Sequence, residues 1–201
     1  MALLLGPRRA LLIPKKVAAA GGGVIAATTL DPAHKGASAS VGADKLTYTT
    51  TAAESAVRGL IPVATGKYKC EITFGATHTG SWGFVDGSWT LDGQFLGNTW
   101  SSWGFGSDGF PGTYQVVGGG GNTGDTPQPG DTVAMEFDVD AKLAYLVTPR
   151  GRYGPYPVNG GGMPGPYYFA FSQNSTSETW HINFGSTPFV LPNGGGFSGL
   201  S

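Results

Sequence analysis

The run Met135–Lys142, MEFDVDAK, sets Glu136, Asp138 and Asp140 two residues apart. Alternate residues of a β-strand share a face, with backbones about 6.6–6.8 Å apart. Side chains so placed can bring two carboxyls to the separation of about 5–5.5 Å at which a retaining glycosidic cleavage works, one acting as nucleophile and one as acid. The same spacing arises when Met135, Phe137 and Val139 face a core and the acids face water. The solvated face is the expectation here, because acids on the outer side of a strand that runs into a hairpin require only solvent.

Other candidates for chemistry are sparse. His34, His78 and His181 lie far apart without metal-site spacing, and each reads as a surface or interface residue. The single cysteine, Cys70, excludes an internal disulfide framework and a multi-cysteine metal site. It sits on the apolar side of an alternating strand and reads as a small buried residue rather than a nucleophile. Asp86-Gly87, Asp92-Gly93, Asp108-Gly109 and Gly124-Asp125 are what turns require, and no loop repeats the dense oxygen-ligand pattern of a dedicated calcium site. GGGGNTGD, residues 118–125, has no lysine and no strand-to-helix context, so a phosphate-binding reading fails. No catalytic residue, metal or cofactor is expected.

Aromatic residues are the more informative group. Large rings fill the space between sheets, which is the bland account of Trp82, Trp89, Trp100 and Trp103. On loops they present flat apolar faces to sugar rings or to a partner protein. Trp100, Trp103, Tyr114, Tyr153 and Tyr156 are the candidate ligand contacts. Trp100 and Trp103 cannot both point inward on a regular strand, since three residues separate opposite faces. Tyr153 and Tyr156 are expected on a surface loop because Pro155, Pro157 and several glycines surround them.

The elements that must position these residues follow from composition. Of 201 residues 35 are Gly and only 12% are charged, against about 7% and about 25% in an average globular chain. The 5 Trp, 8 Tyr and 11 Phe restore the apolar area that glycine lacks, which argues for a folded, loop-rich β protein and against disorder. The net charge of −1 conceals an asymmetry, since Arg8, Arg9, Lys15 and Lys16 precede the first acid, Asp31. Residues 1–28 are read as an extended basic, apolar arm and linker. Pro7, the arginines and Pro14 interrupt it where a secretion signal needs a continuous apolar core. No apolar run approaches the 18 or so residues of a membrane span. Four basic residues make only a modest phosphate-binding patch, so no nucleic acid is expected. Leu3, Leu4, Leu5, Leu11, Leu12 and Ile13 would otherwise be exposed apolar clusters, and with the four basic residues they form the candidate partner-docking set.

Strand patterns fill the body. KYKCEITF alternates, with Tyr68, Cys70, Ile72 and Phe74 on one face and Lys67, Lys69, Glu71 and Thr73 on the other. SWTLDGQFLG places Asp92-Gly93 where a tight hairpin turn is expected. TVAMEFDVD and KLAYLVT form a second hairpin turning near Asp140–Lys142. YYFAFSQ sets Tyr167, Phe169 and Phe171 on one face, and TWHINF does the same for Trp180, Ile182 and Phe184. Many short strands with one-sided apolar faces and no amphipathic helix predict an all-β sandwich of two antiparallel sheets.

In this order, SWGFVDGS, LGNTWSSWGFGSDG, PGDTVAMEFDVDAKLAYLV and WHINFGSTPF resemble the SPRY domain, a concanavalin-like β-sandwich. LDPAHKGASASVGADKLTYTT followed by AVRG and GKYKCEITF resembles the opening of that domain as it occurs in bacteriophage virion proteins. The resemblance covers residues 29–190 and leaves a glycine-rich tail, 191–201. Many relatives carry Asn-Gly after the second hairpin strand, whereas this chain has Thr148-Pro149-Arg150-Gly151. EFDVD is also similar to the acidic strand of laminarinase-type hydrolases, but that motif ends in a glutamate where this chain has Ala141-Lys142. The SPRY resemblance implies a binding or structural module: a virion component in head decoration, fibre or baseplate, with capsid or tail proteins or further copies of itself as partners. A module adhering to host-surface glycan is the first alternative, and a glycan hydrolase using the acidic strand is the second.

Overall fold

The computed structural model describes residues 28–75, 79–97, 99–108, 114–117, 121–158, 163–174 and 178–200, apart from the side chains of Asp108 and Gln115. The arm residues from Leu3 to Lys16, and His78, lie outside them. Thirteen strands run in chain order: β1 Leu30–Lys35, β2 Ala39–Val41, β3 Thr47–Thr50, β4 Ser55–Gly59, β5 Lys67–Thr73, β6 Thr79–Val85, β7 Ser102–Asp108, β8 Tyr114–Val117, β9 Thr132–Asp138, β10 Leu143–Thr148, β11 Gly151–Pro157, β12 Tyr168–Gln173 and β13 Thr179–Asn183. Among the described residues there is no helix, and none therefore that is long and apolar enough to cross a membrane.

The strands form two antiparallel sheets, one of six strands in the order β1-β4-β12-β6-β7-β8 and one of seven in the order β11-β10-β9-β5-β13-β3-β2. Each inward face is the apolar half of an alternating sequence. Cys70 and Ile72 of β5, Met135 and Phe137 of β9, and Trp180 and Ile182 of β13 meet Trp82 and Phe84 of β6 and Phe169 and Phe171 of β12. Phe84 lies 3.9 Å from Phe137 between ring centroids, and the Trp82 and Trp180 rings meet edge-on at 6.1 Å. These ring pairs across the layers hold the two sheets face to face.

The β9–β10 hairpin is as its sequence predicts. The Asp138 carboxylate accepts the Ala141 N–H at 3.0 Å, and Lys142 takes the left-handed conformation that closes the turn, at φ 52°. The hairpin expected at Asp92-Gly93 is absent. Instead Asp92 touches β4 through a single bridge to Ser55, and its carboxylate accepts the Ala37 N–H and the Ser55 hydroxyl. The loop around it lays Trp89, Leu91 and Leu96 over Ala56, Val85 and Ala170, the outer face of the six-stranded sheet. Its apolar residues serve packing, and Asp92-Gly93 marks a turn in that loop rather than a hairpin between two strands.

Residues 190–200 close the other outer face. The chain leaves β13, crosses β5 and β9, and returns to β5, where Lys69 N–H donates to Ser198 O at 2.9 Å. Leu200 N–H then donates to Phe184 O and Thr28 N–H to Leu200 O, so the strap ends beside the point where the arm joins. The glycine-rich segment thus lies against the sandwich.

Candidate functional site

The outer face of the seven-stranded sheet carries charge in register, Lys69 opposite Glu136 and Lys67 opposite Asp138. Water does not reach most of it. Lys69 and Glu136 are fully buried, Glu71 is 2% exposed and Asp138 8%. The solvated-face expectation is therefore corrected for Glu136 and Asp138, and holds for Asp140, which is exposed and accepts the Gly66 N–H. For Asp138 the Lys67 ammonium at 2.9 Å takes the place of water, and for Glu136 the strap covers the acid and uses it, as it does Glu71. Glu71 accepts the N–H groups of Val190 and Leu191 at 2.9 and 2.8 Å. Glu136 accepts Gly194 N–H and Arg152 Nε–H, both at 2.8 Å. Lys69 donates its ammonium to the carbonyls of Leu191 and Pro192 at 2.7 and 3.0 Å. Lys69, Glu71 and Glu136 thus each have partners, without which their burial would be prohibitive. A Cβ at position 194 would stand 2.4 Å from Arg152 Nε and 2.6 Å from Glu136 Oε2, so any larger residue must displace that pair.

At the edge of the strap, the turn from β10 to β11 opens a cleft of about 400 Å³. Pro149, Arg150 and Arg152 form one wall, and Leu191, Pro192 and Asn193 form the other. Arg152 lies flat on Tyr145, its guanidinium carbon 3.5 Å from the ring centroid, and is about a third exposed. Arg150 binds Asp125 through Nε and Asp131 through Nη2, the latter at 2.7 Å. Asp131 and Asp125 together hold that guanidinium charged well past its ordinary range. Asp125 also accepts the Thr148 hydroxyl at 2.5 Å, and Asp131 the Tyr114 hydroxyl at 3.2 Å. Burial, reinforced by the Asp131 charge, pushes the Tyr114 phenol up. On the covered face, a hydrogen bond from Lys67 holds Asp138 below the usual carboxylate range.

The aromatic candidates scatter. Trp100 is 76% exposed, on the turn that enters β7. Trp103 and Tyr114 are fully buried, which corrects their nomination as ligand contacts: Trp103 packs edge-on against Phe105, and Tyr114 against Trp82. Tyr153 and Tyr156 lie on β11 rather than on a loop. A bulge pairs Ala144 with Tyr156 and Leu146 with Tyr153, so Tyr145 alone opposes Gly154 and Pro155 and both tyrosines reach the inner side. They are half-buried against the core, with Tyr156 edge-on to Phe105 at 5.9 Å. His34 pairs with Asp31 at 2.6 Å, and His181 lies on the surface near Asp44. The site residues that sequence reasoning passed over are Lys69, Glu71, Arg150 and Arg152. For Lys69 the signal was the opposite charge of Glu136 in register on β9, while Glu71 stands opposite Ala134 and Arg152 opposite Val147, where spacing gives none.

No family model matches the sequence, and no curated protein matches it. Among solved structures, the crystal structure of the TRIM65 PSpry domain aligns with a TM-score of 0.61 at 12% identity, over 79% of this chain and 92% of that one. The fold is SPRY-like.

Proposed function

We propose that this chain is a bacteriophage virion structural protein, a head-decoration, fibre or baseplate component assembled in the host cytoplasm, whose SPRY-like domain engages other virion proteins. One observation carries the non-catalytic half of this reading: the acids that spacing offers for hydrolysis are engaged. Glu136 is held by Gly194 and Arg152, and Asp138 by Lys67. Neither is left free as a nucleophile or acid of the kind glycosidic cleavage needs. The virion half rests on the resemblance of the opening segment and on the basic, apolar arm. Burying its six aliphatic side chains in a neighbour's groove yields on the order of 9–18 kcal/mol in gross terms, and ordering the segment cancels a large share. The arginines and lysines would steer the encounter more than supply affinity.

The test is deletion of residues 1–20. The truncated protein should fold and stay soluble yet be absent from purified particles and from its own oligomer, while Arg8→Ala with Arg9→Ala reduces joining less. Normal incorporation of the truncated form refutes the docking arm. A second reading, adhesion to host-surface glycan, is favoured by Trp100, whose ring is open to solvent. It can coexist with the structural role, and Trp100→Ala should then reduce attachment to host cells.

A further inference from the structure

We propose that the cleft between the β10–β11 turn and the strap is a docking site for a carboxylate-bearing peptide segment of a partner protein, received by Arg152. This rests on the protein-interaction reading above and names the chemistry of one contact. Arg152 spends a single N–H, on Nε, in holding Glu136. Neither of its Nη nitrogens has a partner among the described residues, so four of its five donors remain. The ring of Tyr145 beneath and Glu136 behind fix the plane of the guanidinium. The result is a fork whose outer edge is preorganised for the two oxygens of a carboxylate.

The rest of the lining decides what carries that carboxylate. Thr148 already donates to Asp125, and the Asn193 amide is used twice within its own turn, by Phe197 O and Gly195 N–H. Lys69 takes the carbonyls of Leu191 and Pro192, and Glu136 the Gly194 N–H. Side-chain donors left for a ligand are therefore guanidinium N–H groups and the second N–H of the Asn193 amide, set among the apolar surfaces of Val147, Pro149, Leu191 and Pro192. A sugar acid would bring several hydroxyls to a lining whose side chains offer them little beyond one Asn193 N–H. A glutamate or aspartate flanked by aliphatic residues meets both kinds of surface. The volume, about 400 Å³, lies toward the small end for ligand pockets and suits two or three residues. Asp125, Asp131 and Glu136 behind the arginines take back part of the attraction, so the isolated contact is weak and gains strength only within a larger interface.

The experiment is a titration of the full chain, ¹⁵N-labelled, with acetyl-Leu-Glu-Leu-amide, its Gln counterpart and glucuronate. It follows the Arg side-chain Nε–H signals and the amides of Asn193 and Gly194. The Glu peptide should shift Arg152 Nε–H and these amides, with the Gln peptide at least about tenfold weaker. Arg152→Lys keeps a charge beside Glu136 but loses the fork, and should bring the Glu peptide down to the Gln level. Equal binding of the two peptides, or no effect of Arg152→Lys, overturns the proposal, and the first comparison needs no variant to fold. Shifts with glucuronate alone overturn it in favour of an acidic sugar. Particle incorporation is scored separately: if wild-type protein enters particles but neither peptide shifts the cleft, only this inference falls.

Discussion

Glu136→Gln separates a buried clamp from a wetted strand face. The substitution preserves volume and removes the charge. Glu136 has two incoming donors, Gly194 N–H and Arg152 Nε–H, on two oxygens, and is fully buried. Glutamine has one carbonyl oxygen for both, and its NH₂ group must face one of the donors. An unsatisfied buried N–H costs about 1–3 kcal/mol, and breaking a fully buried ion pair about 3–5 kcal/mol. Arg152 is 34% exposed and can turn to water, so the upper figure does not apply. The expected loss is about 2–3 kcal/mol, which in a domain of this size lowers Tm by about 4–12 °C. Thermal unfolding measures it, with Asp140→Asn as the control, since that exposed side chain makes one hydrogen bond to Gly66. Hydrogen exchange should speed up first at Gly194 and its strap neighbours. A Tm within about 1 °C of wild type, with unchanged exchange in the strap, would refute the clamp.

Gly194→Ala drives a methyl group into the Arg152–Glu136 pair and should lower Tm as much as Glu136→Gln, whereas alanine at Gly195, where a Cβ has open space but φ is +93°, should cost about 1 kcal/mol. Trp103→Ala should cost about 3–5 kcal/mol by leaving a cavity beside Phe84 and Phe105, while Trp100→Ala changes Tm by less than about 2 °C; denaturant melts of both compare them directly. Asp138 titrates below its ordinary range in the folded state, so its contribution is complete above the unfolded value, near 3.9, and disappears as pH falls through the folded one. A Tm–pH curve should therefore show a loss below about pH 4 that Asp138→Asn removes, with the two curves parallel from pH 6 to 8.

Alternation made the sandwich legible, because inward residues on β5, β9, β12 and β13 are apolar at every second position. It failed where a second layer covers the outer side. Nothing in KYKCEITF or MEFDVDAK distinguishes a charge facing water from one facing a strap that arrives more than fifty residues later in sequence. Tyr153 and Tyr156 were misplaced for a different reason. Proline and glycine mark an edge strand as readily as a loop, and the bulge opposite Ala144 and Leu146 reverses the parity that spacing predicts. Trp103 and Tyr114 could not be told from surface rings, since burial of a ring depends on which sheet face its strand presents.

The strap also sets an order of events for the nascent chain. β5 is made early, yet its outer face is closed by residues 119 to 131 positions later, from Val190 on Glu71 to Ser198 on Lys67. Until those residues leave the ribosome, Lys69, Glu71 and Glu136 remain hydrated and β5 lacks a neighbour along part of its length. Contacts so distant in sequence close slowly, and closing them strips water from three charges at once. A chain stalled or cleaved before residue 190 would thus present an open, charged sheet, so commitment to the native state waits until residues 190–198 have been made.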